Sequence, residues 1–252
     1  MKALRLELTC SIAALQLLTR LPVPSPAGFS PRILEGGVKY FPLVGAIVGA
    51  LCAAALFASS LVWGGMLPSI LAVALGVVLT GAIHEDGFAD FFDGLGGRTR
   101  ETRLAIMKDS HIGAFGVLAL ILALAIKVYA LAALPVAMGA AALVAAHAGA
   151  RFAVFAAMSL LPYAGKVSAA KIKPFASACK PRSVAIAAIL GFGPLLLLPL
   201  SAAAMALPAG IVAATLLASS ARRMLGGYTG DVLGAVEQAF EIAFLLGAAA
   251  AA

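Results

Sequence analysis

The sequence predicts an all-α protein: a polytopic transmembrane helical bundle of about six to seven spans, preceded by an N-terminal interfacial helix. Three observations predict it. Hydrophobic residues make up 63% of the 252-residue chain and charged residues 12%, and mean hydropathy is +1.06. A soluble domain has about half apolar and a quarter charged residues. The apolar residues fall in runs of about 20, the length a helix needs to cross a bilayer. Most Lys and Arg fall between those runs, in alternate gaps. The length suits a single integral membrane domain, 1–252, in contact with the lipid bilayer.

Leu4–Leu18 is short for a span and carries Glu7 and Gln16, so it is expected to lie in the interface. Lys2 and Arg5 precede Ile12–Leu18 as in a signal peptide, but no small-residue cleavage site follows, and the segment is expected to be retained. Residues 22–31 (PVPSPAGFSP) hold four prolines, which oppose regular structure and predict a rigid loop. Spans are expected at Phe41–Trp63, Gly65–Ile83, Ile112–Leu134, Val136–Leu161, Ser183–Met205 and Leu207–Ser220, with a short seventh at Gln238–Ala252.

The links Trp63–Pro68, Leu134–Val136 and Met205–Pro208 contain no Lys or Arg, whereas links 20–40, 84–111, 162–182 and 221–237 all do. The positive-inside rule places the basic links in the cytoplasm, as the active face of a protein of the cell inner membrane. Of the 18 basic residues only Lys127 and Arg151 fall inside spans. Lys127 is expected to snorkel. Arg151, four residues after His147, is expected to bond a backbone carbonyl or an acidic partner.

The net charge of +7 does not indicate nucleic acid, because no basic stripe is interleaved with stacking aromatics. Cys10, Cys52 and Cys179 form no CxxC pair and read as small apolar filler. The sequence leaves a homo-oligomer open.

Four of the eleven acidic residues fall within nine positions, in His84-Glu85-Asp86-Gly87-Phe88-Ala89-Asp90-Phe91-Phe92-Asp93. On a helix, Asp86, Asp90 and Asp93 share one face within about 60°, Glu85 lies about 100° to the side, and Phe88, Phe91 and Phe92 point away. Like charges at this spacing repel. In a nearly acid-free protein they call for a cation, and hard oxygen ligands suit Mg²⁺, Mn²⁺ or Ca²⁺.

Arg98, Arg100, Arg103 and Lys108 follow within 15 residues. A carboxylate-held metal bordered by cations suits a phosphate or pyrophosphate substrate. Asp109 and His111 precede a span on the same expected side. So does Asp231, in Gly226-Gly227-Tyr228-Thr229-Gly230-Asp231, where Gly227 and its neighbouring glycines would let backbone approach a ligand. Glu237 and Glu241 follow. No Ser-His-Asp or Cys-His arrangement is evident. The pattern suits phosphoryl transfer, which needs positioning and charge neutralisation more than covalent groups.

At these residues the chain resembles the cobalamin 5′-phosphate synthases, or adenosylcobinamide-GDP ribazoletransferases. The resemblance rests on TRLPVP (19–24), FPLVG (41–45), GAIHEDGFADFFDG (81–94), IMKDSHIGAFG (106–116) and GGYTGDVLGA (226–235), in family order over nearly the whole length. It implies a Mg²⁺-dependent membrane enzyme of late vitamin B12 assembly. Such an enzyme joins adenosylcobinamide-GDP to α-ribazole or its 5′-phosphate and releases GMP. Asp86, Asp90 and Asp93 would hold metal and diphosphate, with Glu85 beside them. Asp90, Lys108 and Asp109 would carry the catalysis, and Asp231 would complete the substrate site from another loop. Family members more often have Arg where this chain has His111, so phosphate binding would fall to His111, Arg98 or Arg103.

Two rivals are weaker. A CDP-alcohol-type phosphotransferase places Ala-Arg three residues after its Asp-Gly pair, but here Ala89 precedes Asp90. A divalent-cation transporter would hold its carboxylates near the bilayer midplane, not at the end of a span.

Overall fold

The computed structural model describes residues 2–24, 30–165 and 180–252, and among these the secondary structure is helical throughout apart from one isolated bridge. The helices are α1 (Lys2–Leu18), α2 (Pro31–Gly37), α3 (Phe41–Ser60), α4 (Leu67–Thr80), α5 (Ile83–Asp93), α6 (Arg100–Ile106), α7 (Ala114–Ala132), α8 (Val136–Leu160), α9 (Pro181–Phe192), α10 (Leu200–Leu225) and α11 (Gly230–Ala249).

Five helices are long and apolar enough to cross a bilayer: α3 with its lead-in from Pro31, α7, α8, α10 and α11; the bent α4–α5 pair, counted as one, makes a sixth. Leu51, Phe57, Leu118, Ile121, Leu122 and Leu216 stand exposed on these helices, as a lipid-facing surface requires. Inside, small residues let backbones approach. A methyl group on Gly49 of α3 would come within 2.6 Å of the Leu143 carbonyl of α8, the close packing expected when helices associate in lipid.

Three boundaries differ from the expected ones. Ser183–Met205 is not one span. α9 stops at Phe192, where Gly193-Pro194 opens a short 3-10 turn to Leu197. A single helix, α10, then runs from Leu200 through Pro208 to Leu225. The helix break therefore falls at 193–199 and not at Met205–Pro208, because a proline inside a membrane helix can be accommodated. The corrected link, GPLLLLP, also lacks Lys and Arg. The last span begins at Gly230, eight residues before Gln238, and so takes Asp231 and Glu237 into α11 with Glu241. Finally, Pro31 does not extend a rigid loop. It opens α2, with the Ser30 side chain as N-cap.

The acidic helix is aimed by a turn. Gly81 (φ 66°) and Ala82 (φ 58°) are both left-handed, and α5 leaves α4 at 90°. Gly81 adopts this conformation freely; Ala82 adopts it at a cost, and such strain persists only where surrounding packing enforces it. α5 thus runs across the end of the bundle, packed on α11 and α7.

Candidate active site

The expected helix is present, and Phe88 and Phe91 are buried behind it. Its contact with α11 is made glycine to glycine. A methyl group on Gly87 would lie 2.8 Å from the Asp231 backbone, and one on Gly234 would lie 2.9 Å from the His84 carbonyl. The two helices cross so closely that Asp86 and Asp90 are brought beside Asp231, nearly 150 residues further along the chain. Burial, with the charges of Asp231, Asp86 and Asp93, pushes the Asp90 carboxyl up to about 7.

Asp86 and Asp231 line a cavity of about 520 Å³ together with Lys108, Thr229, Tyr163 and Tyr228. Its walls are tied by backbone bonds: the Ala164 amide donates to Tyr228 O (2.8 Å) and the Tyr228 amide to Pro162 O (2.9 Å). Arg100 clamps the same junction, its Nε donating to Leu225 O (2.7 Å) and its Nη2 to Ala164 O (3.0 Å). Gly227 is pressed against the Pro162 carbonyl and is buried. The glycine with open space beside it on the cavity wall is Gly230.

The other expected residues are placed as follows. Asp93 shares the acidic face, but both of its oxygens are occupied. Oδ2 accepts from the Gly113 amide (2.7 Å) and Oδ1 from the Gly116 amide (2.8 Å), so Asp93 caps α7 and complements its dipole. A side chain on Gly113 or Gly116 would collide with that carboxylate, which accounts for both glycines of IGAFG. Glu85 is buried and faces away from the cavity, accepting from Gln238 Nε2 (3.0 Å). Arg103 Nε donates to Gly97 O (2.8 Å), and Arg98 is exposed. Asp109 and His111 pair with each other, Nδ1 to Oδ1 at 2.7 Å, both exposed. Hydrogen bonding to His111 holds Asp109 below the usual carboxylate range, and the same bond raises His111. Neither lines the cavity.

A second charged cluster sits inside the bundle. Arg151 Nη1 lies 2.5 Å from Glu237 and 2.7 Å from Glu241, and it also donates to the His147 carbonyl at 3.2 Å. Lys127 Nζ reaches Glu241 at 2.7 Å and Gln238 at 3.2 Å, and His147 Nδ1 reaches Glu241 at 2.5 Å. Arg151 thus finds the acidic partners anticipated for it. Lys127 does not snorkel: it is 4% exposed, because Glu241 gives its charge a partner within the bundle. His147, Glu237 and Glu241 come close enough to hold a metal ion, but the Arg151 guanidinium already lies against both carboxylates.

Sequence reasoning missed the tyrosine pair and Thr229 on the cavity wall. Their only signal was position, flanking Gly165 and Asp231 in the two links that face each other.

The profile of the cobalamin-5-phosphate synthase family matches residues 11–249. The adenosylcobinamide-GDP ribazoletransferase of Leptothrix cholodnii is 41% identical, covering 98% of this chain and 97% of its own. That of Albidiferax ferrireducens is 40% identical over 94% and 96%, and that of Ralstonia nicotianae 41% over 97% and 96%. No solved structure matches the chain. Matched over nearly its whole length, the chain belongs to the cobalamin-5-phosphate synthase family.

Proposed function

We propose that this chain is an adenosylcobinamide-GDP ribazoletransferase of the cell inner membrane. It joins adenosylcobinamide-GDP to α-ribazole or its 5′-phosphate and releases GMP. The observation that carries the reading is the convergence of Asp86 and Asp90 from α5 with Asp231 from α11, beside a cavity that Lys108 also lines. The distribution of Lys and Arg supports placing this face in the cytoplasm.

A divalent cation fits this donor set. Asp86, Asp90 and Asp231 are hard oxygen ligands crowded enough to repel one another, and Asp93 is committed elsewhere. Mg²⁺ held by these three aspartates would neutralise charge on the pyrophosphate. Lys108 presents a further cation to the phosphates. The hydroxyl oxygen of the ribazole moiety forms a bond to the phosphorus on the cobinamide side. The bond from that phosphorus to the bridging oxygen breaks, and GMP departs with that oxygen. The hydroxyl proton leaves to water at the cavity mouth, where Asp86 is exposed. Holding the two substrates in line supplies much of the acceleration in phosphoryl transfer.

The test is GMP release by the purified protein in liposomes from adenosylcobinamide-GDP and α-ribazole, with Mg²⁺ and with chelator. Release is expected only with all three components. No release from protein that is folded and correctly inserted would sink the reading.

A further inference from the structure

The cavity is divided in a way the reaction alone does not explain. Its charged lining side chains are Asp86, Lys108 and Asp231. Two further polar groups are turned to other partners: the Thr229 hydroxyl donates to Asp231 Oδ2 (3.3 Å), and His84 sets its Nδ1 3.5 Å from Arg151. Much of the remaining wall is hydrocarbon and aromatic, with Leu17 from α1, Phe41 from α3, Val154 and Met158 from α8, and the tyrosine pair. Tyr163 and Tyr228 meet edge to face, centroids 5.4 Å apart at 68°, a favoured aromatic geometry. The backbone bonds between their two segments and the Arg100 clamp fix this pair in place.

Three parts of the two substrates compete for such a space. A corrin macrocycle with its amide side chains is too large for about 520 Å³, a volume typical of a site for one small ligand. Guanine would bring a hydrogen-bonding edge, and an apolar wall leaves that edge unpaired, which is costly. The base of α-ribazole is a dimethylated benzimidazole. Within the nucleoside it has no N–H donor and no exocyclic polar group, and it is flat, so its chemistry matches the wall. Its ribose carries the hydroxyl that must reach phosphorus.

Resting on the reaction proposed above, we infer that this cavity is the acceptor site. The benzimidazole base lies against Tyr163 and Tyr228 with its edges toward Met158 and Val154, and a secondary hydroxyl of the ribose, free in both α-ribazole and its 5′-phosphate, points to Asp86, Asp231 and Lys108. Acceptor choice then follows from apolar fit, with no hydrogen bond to the base. Removing both methyl groups should weaken binding by about tenfold, given about 0.8 kcal/mol per buried methyl-sized group.

Two measurements test this. In wild-type protein in liposomes, retention of radiolabelled α-ribazole without the second substrate is compared with that of benzimidazole riboside and adenosine. The expected order is α-ribazole first, benzimidazole riboside about tenfold weaker, and adenosine weakest. Separately, Tyr163→Leu, which keeps an apolar side chain, is assayed for GMP release with each substrate varied in turn. The KM for α-ribazole is expected to rise about tenfold, in the range of a lost aromatic contact and its buried area, and the KM for adenosylcobinamide-GDP to stay within about twofold. A rise confined to the adenosylcobinamide-GDP KM, or equal retention of all three nucleosides, overturns the acceptor site while GMP release keeps the reaction. Selective retention of α-ribazole with no GMP release in wild type does the opposite: it sinks the reaction and sustains the site.

Discussion

Glu85 and Asp86 are neighbours on α5, yet they belong to two opposite kinds of charge cluster. Glu85 is 8% exposed and faces the bundle, where Gln238, Lys127 and Arg151 join Glu237 and Glu241. Asp86 is exposed and faces the cavity with Asp231. The inner cluster carries its own cations, and its arginine fills the place a metal would take. At the outer cluster, three carboxylates stand close with Lys108 as the cation on the same wall. The difference teaches where to look for function in a membrane bundle. Deep charges that pair with one another hold helices together, and crowded charges at the rim are where the proposed cation would bind.

The comparison is most easily broken at Arg151. Its replacement by Ala leaves Glu237 and Glu241 facing each other inside the bundle without the guanidinium. Losing one partner of a buried pair costs about 3–5 kcal/mol, so Arg151→Ala is expected to lose most folded, monodisperse protein in detergent. Size-exclusion and thermal-aggregation profiles would check this. A well-folded variant with normal turnover would remove the structural role.

The outer cluster should behave the other way round. Asp90→Asn relieves repulsion, so it is expected to melt at or above the wild-type temperature while GMP release falls at least about 100-fold, the scale of losing a group that stabilises the transition state. Reduced folding together with normal turnover per folded molecule would reverse the assignment of the two regions.

Asp93 sharpens the boundary between them. It shares a helical face with Asp86 and Asp90, yet it caps α7. Asp93→Ala is expected to cost about 1–2 kcal/mol of stability, as for a lost N-cap with buried donors left unpaired. Asp93→Ser, which can still accept from one amide, should recover part of that and should leave Mg²⁺ dependence unshifted. A large rise in the Mg²⁺ requirement of Asp93→Ser would return Asp93 to the metal site.

Asp93 also marks how far the sequence could be read. Spacing alone placed Asp86, Asp90 and Asp93 on one helical face, and that arithmetic holds in α5. It could not show that the α7 N-terminus points at the third aspartate. The trace was Gly113 and Gly116, three apart at the start of the expected span Ile112–Leu134, which carry no signal of their own until the carboxylate between their amides is seen. The fold class and most spans were legible because apolar run length and Lys/Arg placement are one-dimensional signals. The break near Pro208 was misplaced because proline ends helices in water more reliably than in a bundle, where neighbours satisfy the freed carbonyl. Glu237 read as a loop residue and Glu241 as an unpartnered charge in a short last span, because their partners, Lys127 and Arg151, lie roughly 90 to 110 positions away.

The smallest expected effect, and one that reports on the outer cluster alone, is the response to pH. Asp90 has its carboxyl raised from the ordinary 3.8 to about 7 in the folded chain, burial first and its acidic neighbours next. Between those two values the folded state binds a proton that the unfolded state has lost, so the contribution of Asp90 to stability falls as pH rises through this window and is least favourable above it. A divalent cation that takes the place of that proton should reverse the trend. In chelator, the apparent melting temperature is therefore expected to fall from pH 5 to pH 8, and the increment on adding Mg²⁺ is expected to be larger at pH 8 than at pH 5.5, since binding then displaces no proton. Asp90 is only partly buried, so solvent screening keeps the shift modest. The control is Asp90→Asn, which should flatten both dependences while the inner cluster, identical in the two proteins, contributes equally to each. An unchanged Mg²⁺ increment across this pH range in wild type would mean that the three aspartates are not where the cation binds.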